Sequence, residues 1–118
     1  MPISQPFSGA KRVAFVQPCH VAAGGAEAEG TIRNISVLGV YLAVEPIPKA
    51  GEALRLRFDL PEGAGTVEVD AEVAWRNTPQ RRKVPSLPPG CGLRFIDLGD
   101  RDRRRLEALV TSLAPKRD

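Results

Sequence analysis

Apolar and polar residues alternate along most of this chain. Val13, Phe15, Cys19 and Val21 recur in one phase, with Gln17 between them, which predicts a half-buried strand over 13–21. Pro18 marks an edge or a bulge within it. Ala22 to Ala26, centred on Gly24-Gly25, reads as a turn. A second strand is expected from about Ala28 to Ile35 and a third over Val40 to Val44. Pro46 to Gly51 breaks the pattern. Beyond it Leu54, Leu56, Phe58 and Leu60 share one face, and Arg55, Arg57 and Asp59 the other. Pro61 to Gly65 supplies a hairpin loop. The returning strand places Val67, Val69, Ala71, Val73 and Trp75 on its apolar side, which assigns Trp75 to the core. Its other side carries Glu68, Asp70 and Glu72, set for cross-strand pairing with Arg55 and Arg57.

Asn77 to Gly90 contains Pro79, Pro85, Pro88 and Pro89 and reads as a long loop. The last strand is Gly92 to Ile96. Asp100 is then expected to cap a helix whose Leu106, Leu109, Val110 and Leu113 form one apolar stripe. Six strands with one wet and one dry face each, followed by a helix, predict a mainly β domain. A closed antiparallel barrel satisfies the pattern and removes exposed strand edges; an open sandwich is the alternative. Residues 1–10 read as a flexible arm, and 11–118 as a single domain.

Composition narrows the chemistry. A chain of 118 residues with 42% hydrophobic and 26% charged residues fits one globular domain of ordinary size. The net charge of +3 favours an anionic ligand or partner without demanding one. Cys19 and Cys91 form no C-x-x-C motif, and His20 is the sole histidine, so a zinc cluster is not expected. Both cysteines read as small reduced core residues of a cytoplasmic protein. The N-terminus lacks the basic and apolar regions of a signal peptide, and no apolar run approaches the ~20 residues that span a bilayer. Asn34-Ile35-Ser36 matches a glycosylation sequon, which without a secretion signal is not expected to be used. His20 has no nucleophile and orienting group beside it in sequence. No phosphate-binding loop and no paired-carboxylate site stands out, so the chain reads as a non-enzyme without a cofactor. Arg81-Arg82-Lys83 and Arg101, Arg103, Arg104 and Arg105 read as solvated charges. No aromatic residues interleave with them, so nucleic acid is not an expected partner.

The segment Asn34-Ile35-Ser36-Val37-Leu38-Gly39 carries the candidate chemistry. It joins two alternating runs. Strand periodicity lets Asn34 and Ser36 face one way, and Gly39 lets the backbone turn closely. Such a corner can bind an anion. The segment resembles the Asp/Asn-x-Ser-x-x-Gly signature of the PilZ domain family. The resemblance extends over about 11–114 through Pro48-Lys49-Ala50-Gly51-Glu52, Leu60-Pro61-Glu62-Gly63, Val73-Ala74-Trp75-Arg76 and Gly90-Cys91-Gly92-Leu93-Arg94-Phe95. Taken together these pieces resemble a subgroup found in gliding soil bacteria of the myxobacterial type.

The resemblance implies a six-stranded antiparallel PilZ-like barrel with a C-terminal helix. It also implies a bacterial signalling module that binds cyclic di-GMP and acts through an unidentified protein partner. Its ligand residues would be Lys11, Arg12, Arg33, Asn34, Ser36 and Gly39. The arm before the first strand would close onto the ligand. The family's other signature, Arg-x-x-x-Arg, is incomplete here: with Arg12 in first place, the second place holds Val16. A guanidinium donates two parallel hydrogen bonds to phosphate or guanine, so its loss bears directly on affinity. Arg33, Arg76 and the Arg81-Arg82-Lys83 run, on a mobile loop able to fold over a ligand, are the candidates to compensate. The missing arginine also supports a second reading: an adaptor that binds no cyclic di-GMP and acts only through protein contacts in motility or developmental control.

Overall fold

A computed structural model describes residues 11–114, in which the alternating segments become β1 (Val13–Ala23), β2 (Ala26–Ile35), β3 (Gly39–Ala43), β4 (Ala53–Asp59), β5 (Thr66–Asn77) and β6 (Gly90–Ile96), followed by α1 (Asp100–Leu113). The arm at 1–10 lies outside the described residues. All pairings are antiparallel, and the strands close in the order β1-β2-β3-β6-β5-β4. The barrel thus takes the place of the sandwich alternative.

Several elements run further than their patterns suggest. Ala22 and Ala23 belong to β1, because the turn consists of Gly24 and Gly25 alone, both at positive φ (55° and 87°). Two such residues make the tight hairpin whose twist matches its flanking strands. At the other side of the barrel, β5 continues through Asn77 and β6 begins at Gly90, which shortens the intervening loop to 78–89.

The alternating apolar residues point inward. Leu56, Val67, Ile32, Leu42 and Leu93 are fully buried, and Leu106, Leu109 and Val110 of α1 join the same core. α1 lies against β1. Leu113, expected in the buried stripe, is 38% exposed at the helix end. The helix N-cap is Gly99, not Asp100; Asp100 is the first helical residue, where its carboxylate still complements the helix dipole. Cys19 and Cys91 are unbonded and buried, and desolvation pushes each thiol up to about 12.

Outside the barrel, Arg55 pairs with Asp70 at 3.0 Å and with Glu68 at 3.7 Å, as the hairpin pattern implies. Glu72 departs from that scheme and takes Arg94 of β6, its register partner. These exposed pairs contribute little, on the order of 0.2–1 kcal/mol each. Closure between β1 and β4 is short: His20↔Arg57, Val21↔Leu56 and Ala22↔Arg55. Nearer the start of β1, the Gln17 side chain reaches across, donating to the Asp59 carbonyl at 3.0 Å, and the Phe15 ring meets Phe58 edge-on.

Candidate functional site

Three register shifts shape the outer face. Between Ala14↔Asn34 and Gln17↔Ile32, β1 supplies two residues, Phe15 and Val16, where β2 supplies only Arg33. Arg33 is itself the extra residue of β2 against β3, between Ile32↔Leu42 and Asn34↔Tyr41. In β5, Ala74 is the extra residue between Val73↔Leu93 and Trp75↔Gly92. A bulge of this kind re-aims the side chains beside it. Ile32 and Ile35 therefore both point inward while Arg33 is exposed and Asn34 half-buried on the outside.

The third bulge corrects the assignment of Trp75 to the core. Val73 is buried in the barrel, but the extra residue turns Trp75 onto the outer face. Its indole stacks on Tyr41 with ring centroids 5.4 Å apart, and it packs over Gly92, where a Cβ would come within 2.1 Å of Nε1. One cross-strand row on the outside thus reads Ala14, Asn34, Tyr41, Gly92, Trp75. Tyr41 and Trp75 are the members of this row that sequence reading missed. A signal was present: continuing the Val73–Trp75 phase would have put the amide of Asn77 inside the barrel.

Arg12 and Asn34 meet. Arg12 Nη1 donates to Asn34 Oδ1, so the residue just ahead of β1 is fastened to the β2 end of the Asn-x-Ser-x-x-Gly segment. Partial desolvation lowers the Arg12 guanidinium from its ordinary value, yet an arginine keeps its charge. Lys11 is exposed next to it. Ser36 behaves differently from Asn34. It is fully buried, its Oγ accepts the Leu38 N–H at 3.0 Å, and its own N–H donates to the Gly39 carbonyl at 2.8 Å. The Leu38 carbonyl in turn accepts from Phe95 N at 2.8 Å, tying the turn to β6. Ser36 and buried Gly39 therefore shape the corner, and Lys11, Arg12, Arg33 and Asn34 furnish its accessible polar groups.

Arg76 and Arg82, two of the candidates to compensate, are engaged elsewhere. Arg76 donates to the carbonyls of Ile47 and Pro48 at 3.1 and 2.9 Å. Arg82 donates to the carbonyls of Pro85 and Leu87 within its own loop. That loop is pinned and not a free flap. Asn77, fully buried, donates through Nδ2 to Tyr41 Oη and the Val84 carbonyl, both at 3.1 Å, and accepts from Val84 N at 3.1 Å. Tyr41 Oη donates to the Pro88 carbonyl at 2.5 Å, and burial raises the phenol from its ordinary value.

Among the described residues, no three His, Cys, Asp or Glu side chains gather as a metal site, and no helix is long and apolar enough to cross a membrane.

Comparison with known proteins accords with this architecture. The PilZ domain of YcgR from Escherichia coli, solved with c-di-GMP, superposes with a TM-score of 0.70 at 14% identity over 92% of each chain. YcgR from Escherichia coli in complex with c-di-GMP gives a TM-score of 0.73 at 14% identity, over 91% of this chain and 46% of that one. The Bacillus subtilis inhibitor of motility (MotI/DgrA) gives 0.71 at 20% identity, over 93% of this chain and 51% of that one. The chain thus spans about half the length of the last two. At these identities the likeness concerns the fold. No curated protein sequence matches significantly. The family profile of the PilZ domain, however, matches residues 9–112, nearly the whole chain, and the chain belongs to the PilZ domain family.

Proposed function

We propose that this domain is a signalling module that binds cyclic di-GMP at the Lys11–Arg12–Arg33–Asn34 corner and passes the signal to a protein partner by the altered surface. The observation that carries this reading is the hydrogen bond from Arg12 to Asn34. It joins the first residue of one family signature to the first residue of the other, so a cation and an amide already converge on one exposed spot. A phosphodiester meeting that spot finds charge-assisted donors and an amide held by the sheet. Ser36 and Gly39 keep the turn that presents Asn34. Ligand binding without chemistry, inside a bacterial cytoplasm, completes the reading. One structurally similar protein, YcgR, holds c-di-GMP in two structures, and a second protein is an inhibitor of motility, which supports motility control as the output.

Isothermal titration with cyclic di-GMP tests this. Wild-type protein is expected to bind in the micromolar range, and Arg12→Ala and Asn34→Ala each to lose at least ~10-fold, the effect of one charge-assisted hydrogen bond. Linear pGpG and GTP serve as specificity controls. Absence of heat at ~100 µM ligand, a ligand level far above the affinity class expected, would sink the reading.

One observation favours a second reading. Val16, in the place of the second signature arginine, is 65% exposed and offers a ligand no hydrogen bond. A domain that has abandoned the nucleotide would act as an adaptor through protein contacts alone, and the same titration separates the two.

A further inference from the structure

The incomplete Arg-x-x-x-Arg signature has a structural counterpart one strand away. We infer that Arg33 supplies the second guanidinium of the ligand clamp, in the place that Val16 leaves without one. This rests on the cyclic di-GMP reading above and assigns the residue that would make an incomplete signature workable.

Register carries the argument. Arg33 is the β2 residue facing the Phe15-Val16 pair of β1. Phe15 is buried in the barrel, so Val16 is the outward member of that pair, and Arg33 is exposed on the same side. Residues directly opposite across antiparallel strands stand roughly 5 Å apart at Cβ. An arginine side chain is longer than that gap. A guanidinium rooted at Arg33 can therefore occupy space that a guanidinium rooted at position 16 would fill. The two bulges make this geometry. Without the extra residue in β2, regular alternation from the inward Ile32 and outward Arg33 would turn Asn34 into the barrel; the bulge leaves Arg33 and Asn34 together on the outer face.

Availability points the same way. Arg33 has no hydrogen bond or ion pair among the described residues. Arg76 and Arg82 are spent on backbone carbonyls, and Arg94 on Glu72. Arg81 and Lys83 follow Asn77, whose row runs through Gly90, Ala43 and Thr31, away from the Asn34 row. Arg33 alone among the proposed substitutes adjoins Asn34 in the chain and faces β1 just after Arg12. Together Arg12 and Arg33 flank Asn34, giving two cations to a ligand with two phosphates.

The test is a rescue. Calorimetric titration with cyclic di-GMP is run on wild type, Arg33→Ala, Arg33→Lys, Val16→Arg and the double variant Val16→Arg/Arg33→Ala. Arg33→Ala is expected to weaken binding by at least ~30-fold, and Arg33→Lys to recover only part, because an ammonium lacks the planar fork. The double variant is expected to return to within a few-fold of wild type, since it moves the guanidinium back to the signature position. Melting temperatures report that every variant is folded, and both sites are exposed. Wild-type affinity in Arg33→Ala, or no rescue in the double variant, would overturn the inference while leaving the binding site intact. Binding by Val16→Arg but not by wild type would also overturn it, showing that the site is competent and Arg33 does not serve it. Binding by neither removes this inference and the cyclic di-GMP reading together.

Discussion

Asn34 and Trp75 stand in one cross-strand row on the outside of the barrel, yet their surroundings are opposite. Around Asn34, on β1, β2 and the two residues ahead of β1, Lys11, Arg12, Val16 and Arg33 are all exposed. Around Trp75, on β3, β6 and β5, Tyr41 is buried and Asn77 fully so, beneath a loop whose carbonyls they bind. The same face is thus wet and electropositive at one end and sealed by side-chain hydrogen bonds at the other. The lesson is a division of labour within one surface: in the sealed half side-chain hydrogen bonds tie the loop to the sheet, and in the open half cationic side chains stay exposed.

Alkali should break the sealed half and the interior most severely. The thiols of Cys19 and Cys91 rise from an ordinary 9.0 to about 12 in the fold, and the Tyr41 phenol is raised as well. Folded protein holds these protons longer than unfolded chain does. Their contribution is therefore complete below about pH 9 and is lost as pH climbs toward 12. Urea midpoints measured from pH 7 to pH 11 should fall steadily above pH 9. A flat profile would mean that these groups are not held neutral by burial.

Gly92→Ala comes next. A Cβ there meets Trp75 Nε1 at 2.1 Å and Cε2 at 2.5 Å, so the indole must leave its seat. A loss of about 3 kcal/mol is expected in chemical denaturation, accompanied by a shift in the emission of this single tryptophan. Unchanged emission would show that the sheet, and not the indole, gives way. Asn77→Ala should cost about 2–3 kcal/mol, because the Val84 carbonyl and N–H and the Tyr41 hydroxyl all lose a partner. Limited proteolysis should then cut within 78–89. Persistent resistance there would assign the loop's order to its prolines. The smallest effect belongs to the open half: Ser36→Ala removes one side-chain acceptor from the Leu38 N–H and should cost about 1 kcal/mol. If its binding loss exceeds that of Asn34→Ala, Ser36 contacts the ligand directly and the division drawn here between shaping and contacting residues is wrong.

Much of the barrel was legible from alternation alone, because a strand with one dry face writes its period into the chain. Leu54, Leu56 and Phe58 fell inside and Arg55 paired with Asp70 as their phases required. The signature segment was legible too, through its spacing. What the pattern hid were the single extra residues. Ala74 breaks the phase of β5 without a proline or glycine to mark it, so Trp75 was read as core. Arg33 does the same in β2. A bulge is a mismatch between two strands, and one strand's pattern carries no record of its partner's register. The role of Asn77 was hidden for a related reason: an amide that pins a loop is defined by carbonyls seven and ten residues away. Asp100, taken for a cap, lies one residue inside the helix that Gly99 starts, within the ordinary uncertainty of helix ends.

The short seam between β1 and β4 bears on how the molecule assembles. Three residue pairs close it, against seven in the neighbouring β4–β5 ladder, and they join positions as far apart as His20 and Arg57. The two hairpins flanking the seam form from local contacts, whereas closure must draw together ends separated by a long intervening chain. This seam and the β3–β6 ladder, which joins Gly39 to Arg94, are thus expected to form after the local hairpins. The β1–β4 seam is where the native barrel should breathe first, letting amide deuteration enter at 20–22 while the β4–β5 hairpin stays protected.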